Sequence, residues 1–591
     1  MLIAVCLPSM RVMCNYKEQT MHASASTRRF VTPELNAADF KQIRPLYNGL
    51  LQRPISSPED IEQWLEDASE LSAVIDEYGS RRYIEKSCHT DDPQIEKTYM
   101  HFVENIEPKI KPLFFAVQRK FLESPIHKQL RGKRYQILVR KWRTDVELFR
   151  EENIPLETEV TRKVTEYDKT SGAMMVNFRG KEYTLQQMGR FIEEPDRATR
   201  QEAWELTANR RMQDREKIEA LFDELLGLRE KIARNAGLPD YRAYAWKAYK
   251  RFDYTPDDCL KFADAIEQSC VPLVKELDRQ RKQDLAIESL RPWDLAVDPK
   301  NRPPLRPFSD EQIPVFVEKT REIFRRLSPR LASDFDVLRE HNNLDLASRK
   351  GKQPGGYQCS LEEVREPFIF MNAAGVQRDV ETLLHEGGHA FHCLAARQEP
   401  LVFLRSAPME FCEVASMSME LLASDHFGVF YDSDGDASRA KRTMLEGIIR
   451  FFPWMTTIDS FQHWMYTHPA HTRQQRTQCW ISLLDRFGGL VDWSGLEPIR
   501  ESSWQRQLHL FHAPFYYIEY GIAQLGALQL WMKSRQDPRK ALANYRNALK
   551  YGGTRTLPEL FAAAGIRFDF SDQTLRPLMD AIGQELTRLP R

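Results

Sequence analysis

Several things are scarce or missing in this 591-residue chain, and each removes a class of protein. No run of about 18 apolar residues occurs, so hydropathy gives no transmembrane helix and no membrane is an expected partner. Neither sign of charge is in excess, with 84 basic against 85 acidic residues and a formal net charge of -1. Such a balance creates no global field for nucleic acid. The nine cysteines are scattered, odd in number and never paired as CxxC, which excludes a disulfide scaffold and suits reduced thiols in a cytosol. The expected localisation is therefore cytoplasmic. Internal repeats, heptad arrays and low-complexity tracts are absent as well. Function must be sought in a local site.

The chain is long enough to bury a large core, as two to four domains or one large enzyme fold with subdomains. Its first stretch, "MLIAVCLPSMRVMC", is apolar but short, lacks a leading positive charge and is broken by Pro8, a poor secretory signal. Residues 1–35 read as a disordered extension, and Met21 opens a more ordinary sequence.

From about residue 36 the pattern is helical. In "DREKIEALFDELLGLREKIARNAGLPD", Ile218, Leu221, Phe222, Leu225, Leu228 and Ile232 repeat at helical spacing, and Gly237 with Pro239 supplies a stop. Strand signals are few. "KVTEYDKTSGAMMVNFRGKEYTL" alternates through Val164, Met174, Val176 and Phe178, with turn residues at Asp168 to Gly172 and at Gly180, and predicts a small hairpin. The prolines of residues 289–311 predict an extended surface connection and mark a candidate subdomain boundary. Near residue 355 a Gly-Gly turn precedes an apolar run, Phe368 to Met371, that reads as a strand whose Pro367 suits a sheet edge. The fold class is mainly α with a small antiparallel sheet. Residues 36–200 form an expected N-terminal helical subdomain with the hairpin, and residues 201–591 a second domain.

The chemistry-bearing stretch is "ETLLHEGGHAFHCL", residues 381–394. A four-residue step on a helix turns about 40° and rises about 6 Å, so His385 and His389 share a face and can grip one ion. Glu386 is offset by about 100°, where a zinc hydrolase needs the base that acts on a metal-bound water. A chain of this length contains HExxH by chance with a probability on the order of 0.02 to 0.03, so coincidence is the weaker explanation. Gly387 and Gly388 are poor helix formers, and their small size would let another backbone or a substrate approach closely.

Two imidazoles leave a tetrahedral zinc short of a third ligand. His392 lies about 10 Å along the helix axis from His385, too far to share the ion, and reads as a packing or supporting histidine. The spacing HExxHxxGxxH is absent, since position 392 is His and position 395 is Ala. A glutamate of the next helical stretch is the alternative, and "PMEFCEVASMSMELL" offers Glu410, Glu413 and Glu420.

HExxH followed some 25 residues later by the Phe411–Ser416 stretch "FCEVAS" resembles the thimet oligopeptidase and oligoendopeptidase F metallopeptidases (peptidase family M3), and within them the oligoendopeptidase branch. The resemblance extends through "LRPWDLAVDP", "GGYQCSL", "PFIFMN", "TIDSFQHWMYTHP" and "PFYYIEYGIAQLGALQLW", from about residue 200 to the end. It implies one zinc ion held by His385, His389 and Glu413, with Glu386 as catalytic base. Residues 201–591 would then be the catalytic domain, with a thermolysin-like zincin core and two helical lobes around a deep channel that admits oligopeptides and excludes folded proteins.

A second catalytic element is implied by "QLHLFHAPFYYIEYGIAQLG", residues 507–526. Attack on a peptide carbonyl builds an oxyanion, and the family places a histidine and tyrosines against it. Tyr517 and Tyr520 match two family tyrosines, and the histidine is His509 or His512, with His509 favoured. Tyr516, pointing away from Tyr517 on any helix, reads as core. The resemblance also gives the strand Phe368–Asn372 the role of an edge that pairs with substrate backbone. His463 and His468 lie in an aromatic, structural region without a metal. The expected function is a zinc metalloendopeptidase cleaving internal bonds of oligopeptides. Its rivals are a dipeptidyl carboxypeptidase, which would need a positioned cation such as Arg405, and a non-catalytic zinc-stabilised peptide binder.

Overall fold

The computed structural model describes residues 28–185, 187–309, 312–349, 351–353 and 355–591. Residues 1–27, most of the extension read as disordered, lie outside the described residues. Arg28 to Leu35 belong to the fold: Glu70 accepts the backbone N–H groups of Arg29, Phe30 and Val31, and Val31 is buried.

The architecture is mainly helical, as expected. One hydrophobic core gathers apolar residues between Val31 and Trp142 together with Leu401 and Leu404. A larger core runs from Tyr167 to Leu586. Met174, Val176 and Phe178 belong to the larger core, so the hairpin packs there and not in the core built from Val31 to Trp142.

The hairpin itself is shorter than the sequence suggests. β1 (Met175–Phe178) and β2 (Lys181–Thr184) pair around Gly180 at φ 81. The upstream half of the predicted alternation is helical, because helix Asn153–Gly172 continues through Asp168 and Val164. Alternation at Val164 was a coincidence of spacing; its neighbours Val160 and Tyr167 share a helical face that packs on the larger core. The amphipathic segment forms helix Arg215–Asn235, and Gly237 follows at φ 75 as a stop.

A second sheet lies beside the HExxH helix. It has three strands in the order β3 (Leu344–Ala347), β5 (Glu366–Ala373), β4 (Tyr357–Leu361), with β3 parallel and β4 antiparallel to β5. The sheet is thus mixed, and the strand read as an edge is central. Pro367 fits there because β3 first pairs at Ile369, beyond it, so no bond to β3 is lost. β3 and β4 are the edge strands.

β5 turns into helix Gln377–Ala396 within a few residues, and Asp379 closes that turn by accepting the N–H groups of Ala374 and Val376. Helix Met409–Ala423 packs across it at Gly388, where a Cβ would stand 2.5 Å from the carbonyl oxygen of Ala415 and 2.6 Å from Ser416 Cα. Glycine is what lets the two backbones meet. The proline-rich connection is anchored by buried Asp294, which accepts from Arg197 at 2.7 Å and from Arg200 at 3.1 Å.

Candidate metal centre

His385, Glu386 and Glu413 are each 1% exposed, brought together by the crossing at Gly388. Glu413 Oε2 stands 3.4 Å from Nε2 of His385 and 3.4 Å from Nε2 of His389. That spacing is informative. Two ligand atoms at about 2.0–2.1 Å from a tetrahedral centre stand about 3.3–3.4 Å apart, and a good hydrogen bond would be shorter. All three ligand atoms fall within 4.8 Å of one another. His385 Nε2 is buried without a hydrogen-bond partner, so its lone pair faces the space between the three groups. The donor set therefore fits a divalent ion.

The remaining atoms of the triad are held from behind. His385 Nδ1 lies 2.6 Å from Glu420 Oε1, which fixes the ring proton on Nδ1 and leaves Nε2 to bind. Ser416 Oγ donates to Glu413 Oε2 at 3.0 Å, and the Tyr516 hydroxyl donates to Glu413 Oε1 at 2.8 Å. Burial alone would lower the His385 pKa and raise that of Glu413. For His385, Glu413 and Glu420 outweigh burial and bring it to about 9, and the two imidazoles are among the groups that lower Glu413 below the ordinary carboxylate range. Of the three glutamates offered by the sequence, Glu413 meets the histidines, Glu420 supports His385, and Glu410 accepts from Tyr254 at 2.7 Å.

Glu386 stands beside the triad with its Oε1 buried and unpartnered. Burial raises its pKa, with His385 and His389 opposing. Gly356, at the start of β4, sits over it: a Cβ there would be 3.6 Å from Glu386 Oε1. His392 lines the pocket next to His389, and burial with His389 nearby pushes it down to about 4.

The second element converges on the same place. His509 Nε2 lies 3.3 Å from the Tyr520 hydroxyl, and Gln507 Nε2 is 2.9 Å from His509 Nδ1, an arrangement that leaves the ring proton on Nε2. Rings of Tyr516, Tyr517 and Tyr520 surround His509 at centroid distances of 6.1, 5.0 and 5.6 Å. His512 is elsewhere, 2.7 Å from Asp168.

Tyr516 packs against the larger core, as read, but does more. It lines the pocket and contacts a triad carboxylate, because it precedes helix Tyr517–Ser534 and follows Phe515 at φ 68. Rules for side-chain direction along a helix do not reach it. Phe515 is held in that conformation by Gln462, which accepts its N–H at 2.6 Å, and by Arg251, which donates to its carbonyl. Arg229 likewise donates to the carbonyls of Leu510 and Phe511. Neither arginine was singled out from sequence, although Arg229 occupies the apolar stripe of its helix, four residues after Leu225 and three before Ile232.

Arg405, raised as a candidate cation, does line the pocket. His463 also has company, since Cys259 and Asp459 offer ligand atoms within the same 4.8 Å limit. Its surroundings favour a structural role: Arg242 Nη1 lies 3.4 Å from Nδ1, and the ring sits between Trp246 and Phe515.

Fold and site together define a mainly helical protein with a candidate metal centre on its HExxH helix. The sequence model of peptidase family M3 matches residues 190–580, and that of the peptidase M3 N-terminal domain matches residues 30–149. The chain belongs to peptidase family M3. It is 22% identical over 425 residues to the oligoendopeptidase F homolog of Mycoplasma pneumoniae, covering 66% of each. Against oligopeptidase PepF of Bacillus subtilis it is 23% identical over 308 residues, 50% of this chain and 44% of that protein. These matches, with one to Borreliella burgdorferi at 36%, span a third to two thirds of the curated relatives' length. Among solved structures, PZ peptidase A with inhibitor 2 superposes with a TM-score of 0.89 at 26% identity, covering 95% of this chain and 99% of that one. Oligoendopeptidase-F from Enterococcus faecium shares the fold at a TM-score of 0.59 and 16% identity, covering 93% and 95%.

Proposed function

We propose that the chain is a zinc-dependent endopeptidase that hydrolyses internal bonds of short oligopeptides. The observation that carries this reading is the position of Glu413 Oε2, equidistant at 3.4 Å from two imidazole nitrogens and matched to a tetrahedral ion's edge. His385, His389 and Glu413 would hold the zinc, which when bound lowers the pKa of a water and polarises a carbonyl. Family membership and the names of the relatives, oligoendopeptidase F and oligopeptidase PepF, support a peptidase of oligopeptides.

The chain's own groups supply the rest. Glu386 takes a proton from the attacking water and passes it to the leaving amine, which its unpartnered Oε1 leaves it free to do. His509, Tyr520 and Tyr517 donate toward the oxygen that gains charge. Tyr516 keeps Glu413 in place through its 2.8 Å hydrogen bond. Strand β4, an edge strand whose Gln358 and Ser360 line the pocket beside Glu386, would take the substrate-pairing role instead of central β5. A purely structural zinc site would have no use for Glu386 and would close its fourth position.

The test pairs metal analysis with cleavage. Glu386→Gln is expected to retain one zinc per chain while losing hydrolysis of an internally quenched peptide blocked at both ends. Full activity in that variant, or a wild type that cleaves only peptides with a free terminus, would overturn the assignment.

A further inference from the structure

One pocket runs from the triad to a group of arginines. Glu386, His389 and Tyr516 line one end, and Arg365, Arg397 and Arg405 line the other. Within the HExxH helix, His389 and Cys393 are a four-residue step apart, and Arg397, the next step, follows at its C-terminal cap. Eight residues at about 1.5 Å each put Arg397 about 12 Å beyond His389. β4 forms the opposite wall, with Gln358 and Ser360 facing the pocket, and among the described residues it has a sheet partner on one side only. A peptide laid along that edge advances about 3.3 Å per residue, so 12 Å corresponds to three or four residues.

Charge at the far end does not cancel. Arg405 is engaged by the Glu362 carboxylate at 3.0 Å and by the carbonyls of Glu399 and Pro400. Two further carboxylates of this region are taken from outside the pocket, Glu399 by Arg134 at 2.6 Å and Glu363 by Arg28 at 3.0 Å. Arg365 reaches the carbonyl of Arg397 at 2.9 Å, and among the described residues no carboxylate lies within ion-pair distance of Arg365 or Arg397. Burial pushes the Arg365 guanidinium down from its usual value and Arg405 adds to this, with Glu362 and Glu399 opposing from beyond ion-pair distance.

We propose that Arg365 and Arg397 bind a carboxylate of the peptide, three or four residues from the cleaved bond. This rests on the peptidase reading and specifies its substrate. Two sources share the chemistry, an acidic side chain and the peptide's terminal carboxylate. The first would make this end a specificity pocket, and the second would make it a ruler that releases fragments of fixed length.

Internally quenched peptides carrying glutamate or glutamine at each of four positions on either side of the bond, with C-termini free or amidated, separate these sources. In the wild type, glutamate at one position, or the free terminus, is expected to raise kcat/KM about 10-fold over its neutral counterpart. In Arg365→Gln and Arg397→Gln that ratio should fall toward one; taken within a single preparation, it is insensitive to partial misfolding. Fluorescence anisotropy of labelled acidic and neutral peptides with Glu386→Gln protein reads the same preference as a ratio of Kd values. A wild-type ratio near one everywhere, or a preference that survives both substitutions, overturns the proposal. Preferential binding without any hydrolysis would keep it while sinking the peptidase reading, and hydrolysis without preference would do the reverse.

Discussion

Gly388→Ala tests how the site is assembled. A Cβ at this position meets backbone, standing 2.5 Å from Ala415 O and 2.6 Å from Ser416 Cα, where carbon contacts ordinarily begin at about 3.5 Å. The two helices would have to part by about 1 Å. Glu413 lies on the displaced helix, two residues before Ala415, while His385 and His389 stay on the other, so the shift would act directly on the 3.4 Å ligand spacing. Metal bonds tolerate about 0.2 Å, so affinity should fall by at least the 10- to 100-fold typical of disturbed supporting groups, with an overpacking penalty of about 1–3 kcal/mol in stability. Gly387→Ala is the control, since its Cβ would first meet the Phe324 ring at 2.7 Å, a side chain and not the backbone of the Glu413 helix. Metal affinity by chelator competition and Tm by calorimetry read the two effects. If Gly388→Ala binds metal as tightly as the wild type, the account of a site built on helix contact is wrong.

Other expectations address single groups. Glu420→Gln removes the carboxylate that fixes the His385 proton, and should weaken metal binding about 10- to 100-fold in chelator competition without changing which residues bind. Tyr520→Phe should lower kcat about 10²- to 10³-fold with little change in KM, and an equal change in both would contradict its role. Asp294→Ala leaves buried Arg200, 2% exposed, with backbone carbonyls but without its carboxylate, and should cost about 3–5 kcal/mol in urea denaturation. Burial would raise the Asp294 pKa, but bonds from Arg197, the Arg291 N–H and Arg200 lower it below the unfolded value. Its contribution is therefore present above about pH 4 and lost as pH falls further. The wild type should lose stability across that window more steeply than Asp294→Ala; parallel curves would refute the assignment.

The sequence made the imidazole pair legible because helical geometry is local: His385 and His389 share a face wherever the helix lies, and Glu386 must then stand aside, whereas Glu413 was singled out only by the family resemblance. Gly387 and Gly388, flagged as openings, proved to be where Phe324 and the Glu413 helix approach. Non-local facts stayed hidden. Nothing in residues 366–373 says that β3 will pair in parallel and turn an apparent edge strand into a central one. The contact of Tyr516 with Glu413 stayed hidden because side-chain direction rules hold only along an unbroken helix, and Phe515 at φ 68 interrupts this one. Residues Arg229 and Arg251 act through backbone carbonyls of distant residues, a partnership no spacing rule reveals.

The most direct test of the central claim is X-ray absorption at the metal edge of purified protein, together with metal stoichiometry. The account predicts one ion per chain, a shell of nitrogen and oxygen at about 2.0–2.1 Å with two imidazoles, and loss of that ion in His389→Ala. Protein without a bound ion, or a shell containing sulfur at about 2.3 Å, would contradict it.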